Sequence, residues 1–370
     1  MASRSEVLTL LPEGAAHIQT ERSIDGIVAI GRNEGERLRL CLASLSGRAR
    51  TLVYVDSGST DGSIALARAA GAQVVQLDLS LPFTAARARN AGFERLLQAT
   101  PHAEFVQFID GDCELDPAWL DEGARVLRAE PDVSVVCGRR RERCPAASLY
   151  NRLCDVEWDT PIGEARACGG DALVRASDFR LVGGYDPGMI AGEEPDLCLR
   201  LRRRGTRILR LDVEMTLHDA AMTSWSQWWQ RAVRTGHTTA ELLAKHGPTP
   251  DHRRLRRALS ALTWAVLLPS VWIALLGWAL STSDAAWIGA ALVGPPLLYL
   301  RPFARSYRAS RLAGRPRRDA RDYALSCILA KLPETAGMLL YLARRVARRR
   351  PRWIEYKDGP RGIEAGSRGS

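Results

Sequence analysis

Two aspartates one residue apart, Asp110 and Asp112, end the hydrophobic segment F-V-Q-F-I-D-G-D-C-E that runs from Phe105 to Glu114. Paired hard oxygens suit Mg2+ or Mn2+, and such an ion bridges the oxygens of a diphosphate. Four of the five residues from Phe105 to Ile109 are apolar, the mark of a short buried strand. Both carboxylates then stand where the strand leaves the sheet, with Gly111 allowing a sharp turn between them. In an α/β sheet that edge is where ligands bind. An isolated D-x-D equally fits a strand closed by an acidic turn, so its meaning depends on what surrounds it.

The upstream chain repeats one pattern. Ile27 to Ile30 is an apolar run that stops at Gly31, Arg32, Asn33 and Glu34, and a helical spacing of Leu38, Cys41, Leu42 and Leu45 follows. Thr51 to Val55 is a second strand; it empties into Asp56-Ser57-Gly58-Ser59-Thr60-Asp61-Gly62-Ser63, before an alanine-rich helix from Ile64 to Ala70. Val74 to Leu77 gives a third. Strand, polar loop and helix in repeated order predict an α/β fold with a doubly wound parallel sheet. Asp56 is placed to accept hydrogen bonds from a base or ribose, while Arg87, Arg89 and Asn90 offer charge and donors to phosphate. The chain has no G-x-G-x-x-G after the first strand and no G-x-x-x-x-G-K-[ST], which argues against a dinucleotide fold or a P-loop.

The ordered set A-I-G-R-N-E, V-D-S-G-S-T-D-G, A-R-N-A-G, F-I-D-G-D, G-G-Y-D and G-E-E-P-D-L-C-L-R-L-R-R-R-G resembles glycosyltransferase family 2, over roughly residues 24 to 240. The resemblance implies a GT-A, Rossmann-like fold and an inverting transfer of a sugar from a nucleoside diphosphate sugar. It places Asn33 and Glu34 at the nucleoside, Asp56 at the base, and Arg89 with its neighbour Asn90 at the nucleotide. Asp110 and Asp112 would hold Mg2+ or Mn2+ on the diphosphate. Gly169, Gly170, Asp171 and Asp196 are assigned to the sugar or acceptor pocket, and the family's carboxylate pair falls on Glu193 and Glu194.

That pair is usually Glu-Asp, and here its second member is Glu194. A glutamate does the same proton chemistry if it reaches the acceptor hydroxyl, so either Glu194 or Glu193 is the expected base. The plain alternative is that Glu193, Glu194 and Asp196 open a helix whose dipole favours acids. His218, after a strand from Ile208 to Val213, is either a turn residue or a further ligand to metal or diphosphate. Trp225, Trp228 and Trp229 stand among Arg231 and Arg234, as in an interfacial helix or as core filling, and the Q-x-x-R-W of processive synthases is missing, which argues for single-sugar transfer. Two other classes remain open: an inactive nucleotide-sugar-binding partner protein, and a nucleotidyltransferase.

The chain has 370 residues and a formal net charge of +10. The basic excess gathers after about residue 250, at Arg253, Arg254, Arg256 and Arg257, then from Arg301 to Arg321 and from Arg344 to Arg352. These clusters flank apolar segments, which argues for a membrane bilayer and against nucleic acid. Residues 258–280 and 285–300 are expected to form a transmembrane hairpin. Arginines outside it and none in its connection place both outer ends in the cytoplasm. Residues 323–342 carry Lys331, Pro333 and Glu334 mid-segment and suit an interfacial position. The expected organisation is an extension (1–23) without a secretory leader's pattern, a catalytic region (24–245), a membrane-associated region (246–352) and a polar tail (353–370). The eight cysteines include no C-x-x-C, so reduced thiols are expected. Together these features predict a multi-pass protein of the cytoplasmic membrane, its catalytic region facing the cytoplasm and its acceptor a membrane lipid or lipid-linked saccharide.

Overall fold

The computed structural model describes residues 24–249, 252–282 and 284–347; the expected extension and polar tail lie outside them. Among these residues, nine strands form one sheet: β1 (Ile24–Gly31), β2 (Ala49–Asp56), β3 (Gln73–Gln76), β4 (Phe105–Asp110), β5 (Cys113–Leu115), β6 (Val133–Glu142), β7 (Gly163–Glu164), β8 (Ala172–Arg175) and β9 (Arg207–His218). Their order is β3-β2-β1-β4-β8-β6-β9-β5, with β7 added beside β9. The helices between them are α1 (Glu36–Leu45), α2 (Ser63–Ala69), α3 (Ala85–Ala99), α4 (Trp119–Ala129), α5 (Leu149–Trp158), α6 (Ala176–Leu181) and α7 (Glu193–Arg203).

Strands β1 to β4 are mutually parallel, as the repeated pattern predicts. Gly31 pairs with Asp56, and Ile30 with Asp110, so three strands end together on one edge. The sheet as a whole is mixed, which corrects the expectation of a wholly parallel one: β8 runs antiparallel to both β4 and β6. Its first residue, Ala172, pairs with Phe108 and its last, Arg175, with Phe105, so the chain enters β8 from the carboxyl edge of β4. Residues 168–171 are thereby delivered to the same edge as Asp110.

Helix packing fixes that edge. Gly92 of α3 rides so close to the sheet that a Cβ there would meet Val28 Cγ1 at 2.3 Å and Val55 Cγ2 at 2.8 Å. Phe93, Phe108, Phe179 and Tyr185 pack ring against ring between α3, β4 and α6. Trp119 of α4 is fully buried and donates its Nε1–H to Gln107 Oε1 at 2.8 Å, so the buried amide beneath β4 is satisfied.

The carboxyl-terminal part is helical: α8 (Trp225–His246), α9 (Arg253–Leu262), α10 (Leu268–Thr282), α11 (Ala285–Leu298), α12 (Leu300–Leu312), α13 (Arg317–Leu329) and α14 (Lys331–Val346). Helix α8 opens with a capping box in which Ser224 and Gln227 bond each other's backbones. It crosses α14 through two glycines: a Cβ on Gly236 would lie 1.9 Å from Glu334 O, and one on Gly337 1.9 Å from Val233 O. Helices α9 and α10 join through a π turn, Thr263–Leu267, into a 30-residue helix whose most apolar stretch is almost wholly exposed, with 6% of it buried. It folds back on α11 as a hairpin, closed by Trp278 on Trp287 (5.4 Å), Trp272 Nε1–H donating to Ala291 O (2.8 Å) and Trp264 on Tyr299 (5.1 Å).

Among the described residues, two helices are apolar and long enough to cross a membrane, 253–282 and 317–346. The second arm of the expected hairpin, α11, has 14 residues, or about 21 Å of helix, short of a ~30 Å hydrocarbon layer. Segment 317–346, in contrast, is longer and more apolar than its central charges imply, and Glu334 there is buried against Arg257 (2.6 Å) and Lys331 (3.1 Å).

Candidate active site

The strand ends border a cleft of about 480 Å3. Asp110 and Asp112 line one side, Glu193 and Glu194 of α7 line another, and Arg89 and Gly170 lie between. Arg89, only 3% exposed, donates to Asp110 Oδ1 at 2.6 Å and to Glu193 Oε1 at 2.7 Å, tying the end of β4 to the start of α7. Burial opposes the charge on Asp110, but Arg89 and then Arg140 outweigh it and hold the carboxyl at about 2. Gly170 must be small here, since a Cβ would meet Asp110 Oδ2 at 2.8 Å and Arg89 Nη2 at 2.9 Å.

Asp112 faces the last residue of β9. The antiparallel pairing of Cys113 with His218 brings His218 Nε2 to 3.4 Å from Asp112 Oδ1, both residues being buried. Burial, followed by the nearby Arg140, pushes the His218 imidazole down to about 4, so it is neutral near pH 7 and able to ligate a metal. Its buried Nδ1 has no hydrogen-bond partner. One carboxylate oxygen and one neutral imidazole nitrogen in a buried corner fit a divalent ion such as Mn2+. The sequence alone left His218 as a turn residue or a ligand; the β5–β9 pairing puts it beside Asp112.

Glu193 and Glu194 differ in company. Glu193 is bound to Arg89, whereas Glu194 Oε1 accepts the Gly169 N–H at 2.7 Å. Burial raises the Glu194 carboxyl, with the Gly169 amide working against it. Gly169 has φ of 81°, a left-handed conformation that presents its N–H to Glu194. Glu34 lines the cleft at the end of β1 and pairs with Arg37 at 2.8 Å.

Several expected site residues stand behind the cleft instead of on its wall. Asp171 is fully buried: its oxygens accept the Asp110 N–H (3.0 Å) and the Thr216 hydroxyl (2.9 Å), and it forms an ion pair with Arg140 Nη2 (2.7 Å). It braces the turn that carries the aspartates. Asp196 is also fully buried, among Arg200 (2.8 Å), Lys245 (2.7 Å) and His246 (2.6 Å), and anchors α7 to the end of α8. Asn90 exchanges two hydrogen bonds with the backbone of Tyr185, and Arg87 donates to the carbonyls of Asp78, Leu81 and Pro82. Asn33 accepts the Thr60 N–H at 2.7 Å, and Asp56 accepts the N–H groups of Gly58 and Ser59 at 2.9 Å, so these two residues shape the loop after β2.

Other groups had no local signal. Arg140, near the end of β6, pairs with Asp171 and stacks over Trp158, whose ring lies edge-to-face with His218, centroids 4.6 Å apart. Arg231, Arg234, Thr235 and Thr238 of α8 close the cleft opposite the sheet. Arginines recurring at helical spacing beside the tryptophans were legible as an interfacial pattern, but not as a wall of the cleft.

Residues 27–169 match the family model for glycosyl transferase family 2. The pre-mycofactocin glycosyltransferase of Mycobacterium tuberculosis is 27% identical over 253 residues, which cover 64% of this chain and 50% of that protein. The chain thus spans half the length of that relative. The succinoglycan biosynthesis protein ExoA of Rhizobium meliloti is 25% identical over 269 residues, 70% of this chain and 78% of its own length. Among solved structures, the mannosyltransferase PcManGT from Pyrobaculum calidifontis, in complex with GDP-Man and Mn2+, superposes with a TM-score of 0.53 at 18% identity, over 86% of this chain and 88% of that one. At that identity the likeness speaks to the fold, a GT-A arrangement followed by carboxyl-terminal helices.

Proposed function

We propose that this chain, a glycosyltransferase family 2 member through residues 27–169, moves a sugar with inversion from a nucleoside diphosphate sugar to a lipid-linked or saccharide acceptor. The observation that carries this reading is the single cleft that holds the Asp110–Asp112 turn and the Glu193–Glu194 pair together. A donor diphosphate at the sheet edge would leave its sugar facing α7, where Glu194 takes the proton from the attacking hydroxyl. That hydroxyl oxygen bonds the anomeric carbon as the bond to the diphosphate breaks on the opposite face. Asp112 and His218, with Asp110 nearby, would hold Mn2+ or Mg2+, which when bound offsets charge on the leaving diphosphate. Arg89 keeps Asp110 and Glu193 in register, so both sides of the cleft stay aligned during transfer.

The exposed apolar side chains of the α10–α11 hairpin, among them Ile273 (70%) and Val293 (58%), support burial in lipid. Arginine clusters at both of its outer ends support a cytoplasmic catalytic region and an acceptor presented at the membrane surface, as in surface glycan or glycolipid synthesis. In a Cys144→Ser background, a cysteine replacing Ala286 should react with an impermeant thiol reagent from outside the cytoplasmic membrane and one replacing Arg308 should not; the opposite labelling would overturn this orientation. The activity is tested by incubating membranes that contain the full chain with a panel of nucleotide sugars and Mn2+. Release of nucleoside diphosphate from one donor, enhanced by a lipid extract, is expected; release from none would overturn the proposal.

A further inference from the structure

Behind Glu194 two thiols face each other, Cys168 Sγ and Cys198 Sγ, 3.5 Å apart. Cys198 follows Glu194 by four residues on α7, a spacing that sets both side chains on one helix face. Cys168 comes from the loop before β8, whose next residue gives its N–H to Glu194. The two sulfurs and a Glu194 carboxylate oxygen all lie within 4.8 Å of one another. A tetrahedral ion with metal–sulfur bonds of about 2.3 Å holds two sulfurs about 3.8 Å apart. The thiols would shift by only about 0.3 Å to meet that geometry, whereas a disulfide would require them to close to about 2.05 Å.

We propose that Cys168, Cys198 and Glu194 form a binding site for a thiophilic divalent cation of the zinc class, whose occupation removes Glu194 from catalysis. On binding, each thiol releases a proton and forms a metal–sulfur bond, and the Glu194 carboxylate adds an oxygen; no electron is transferred. The ligand types separate this site from the Asp112–His218 corner, because thiolates select soft ions while the oxygen and nitrogen pair accepts Mn2+ and Mg2+. Cys198 is fully buried and Cys168 nearly so, but Glu194 lines the cleft, which gives an ion its entry path. The inhibitory half of the proposal rests on Glu194 being the base; the binding half does not.

The test is a titration of the reduced full-length protein in detergent with Cd2+, in the presence of millimolar Mg2+. A thiolate-to-metal absorption band in the near ultraviolet should saturate at one equivalent, disappear in Cys168→Ser and Cys198→Ser, and persist in Cys144→Ser, which alters an exposed thiol. The wild type alone decides the first point, so a variant that fails to fold does not blunt the test: no one-equivalent band overturns the site. A band undiminished in Cys198→Ser overturns it as well. Zn2+ should inhibit donor turnover over the range in which it displaces Cd2+, and about tenfold more should be needed in Cys168→Ser. Saturation of the band without inhibition would keep the metal site and overturn its inhibitory role, with the base assignment of Glu194 falling beside it.

Discussion

Arg89 donates to Glu193 Oε1 at 2.7 Å and so separates two glutamates that are adjacent in sequence. Glu193 is committed to the ion pair that joins α7 to the Asp110 turn. Glu194 is left to the cleft, accepting the Gly169 backbone amide. Glu194→Gln is therefore expected to keep donor affinity and lower turnover by about 10² to 10⁴, the usual range for loss of a general base. Glu193→Gln should weaken donor binding through Arg89. Steady-state kinetics on both variants checks the assignment, and the reverse pattern would exchange the roles.

The pH profile follows from Glu194. The Glu194 carboxyl is raised by burial, so it loses its proton at a higher pH than an ordinary glutamate. Turnover should fall as pH drops through that raised value, giving an acid limb above the ordinary glutamate range. Asp110, held at about 2 by Arg89, contributes no such limb. In Glu194→Gln the limb should vanish; a limb that persists there belongs to another group.

Removing either ligand of the proposed metal corner should be visible without catalysis. Asp112→Ala and His218→Ala are expected to weaken Mn2+ binding, measured from the free-ion paramagnetic resonance signal, and Asp112→Ala should also abolish turnover. Mn2+ affinity unchanged in both variants would move the metal elsewhere.

The α8–α14 crossing leaves no room for a side chain at Gly236, where a Cβ would sit 1.9 Å from a carbonyl oxygen. Gly236→Ala should cost about 1–3 kcal/mol through overpacking, seen as a lower thermal midpoint. Because α8 also walls the cleft, the KM for acceptor should rise more than that for donor. A variant as stable as the parent would mean that the two helices separate readily.

The sequence made the sheet edge legible because each parallel strand is a short apolar run that stops at a glycine or a polar residue, as at Gly31, Asp56 and Asp110. It could not distinguish wall from support. Asp171 and Asp196 are aspartates like Asp112, yet their carboxylates are consumed by Arg140, Thr216, Arg200, Lys245 and His246, partners known only after folding. His218 needed the β5–β9 pairing, and Arg140 lies within the last residues of β6 with no motif around it. The reversal of β8 was hidden for a related reason: strand direction depends on which edge the chain enters, and the segment before β8 has no periodicity that reveals it. The apolar length of helix 253–282 was legible as a run without charge, whereas α11 ends at Leu298, before a full span is complete, and the apolar length of 317–346 was masked by its central Lys331, Pro333 and Glu334.

The most direct measurement is the anomeric configuration of the transferred sugar, read from the proton coupling of the product formed by the full chain with its preferred donor and Mn2+. The cleft, with one carboxylate base opposite the diphosphate side, predicts a product of inverted configuration, lost in Glu194→Gln. A product that retains the donor's configuration, or equal yield from Glu194→Gln, would contradict the account.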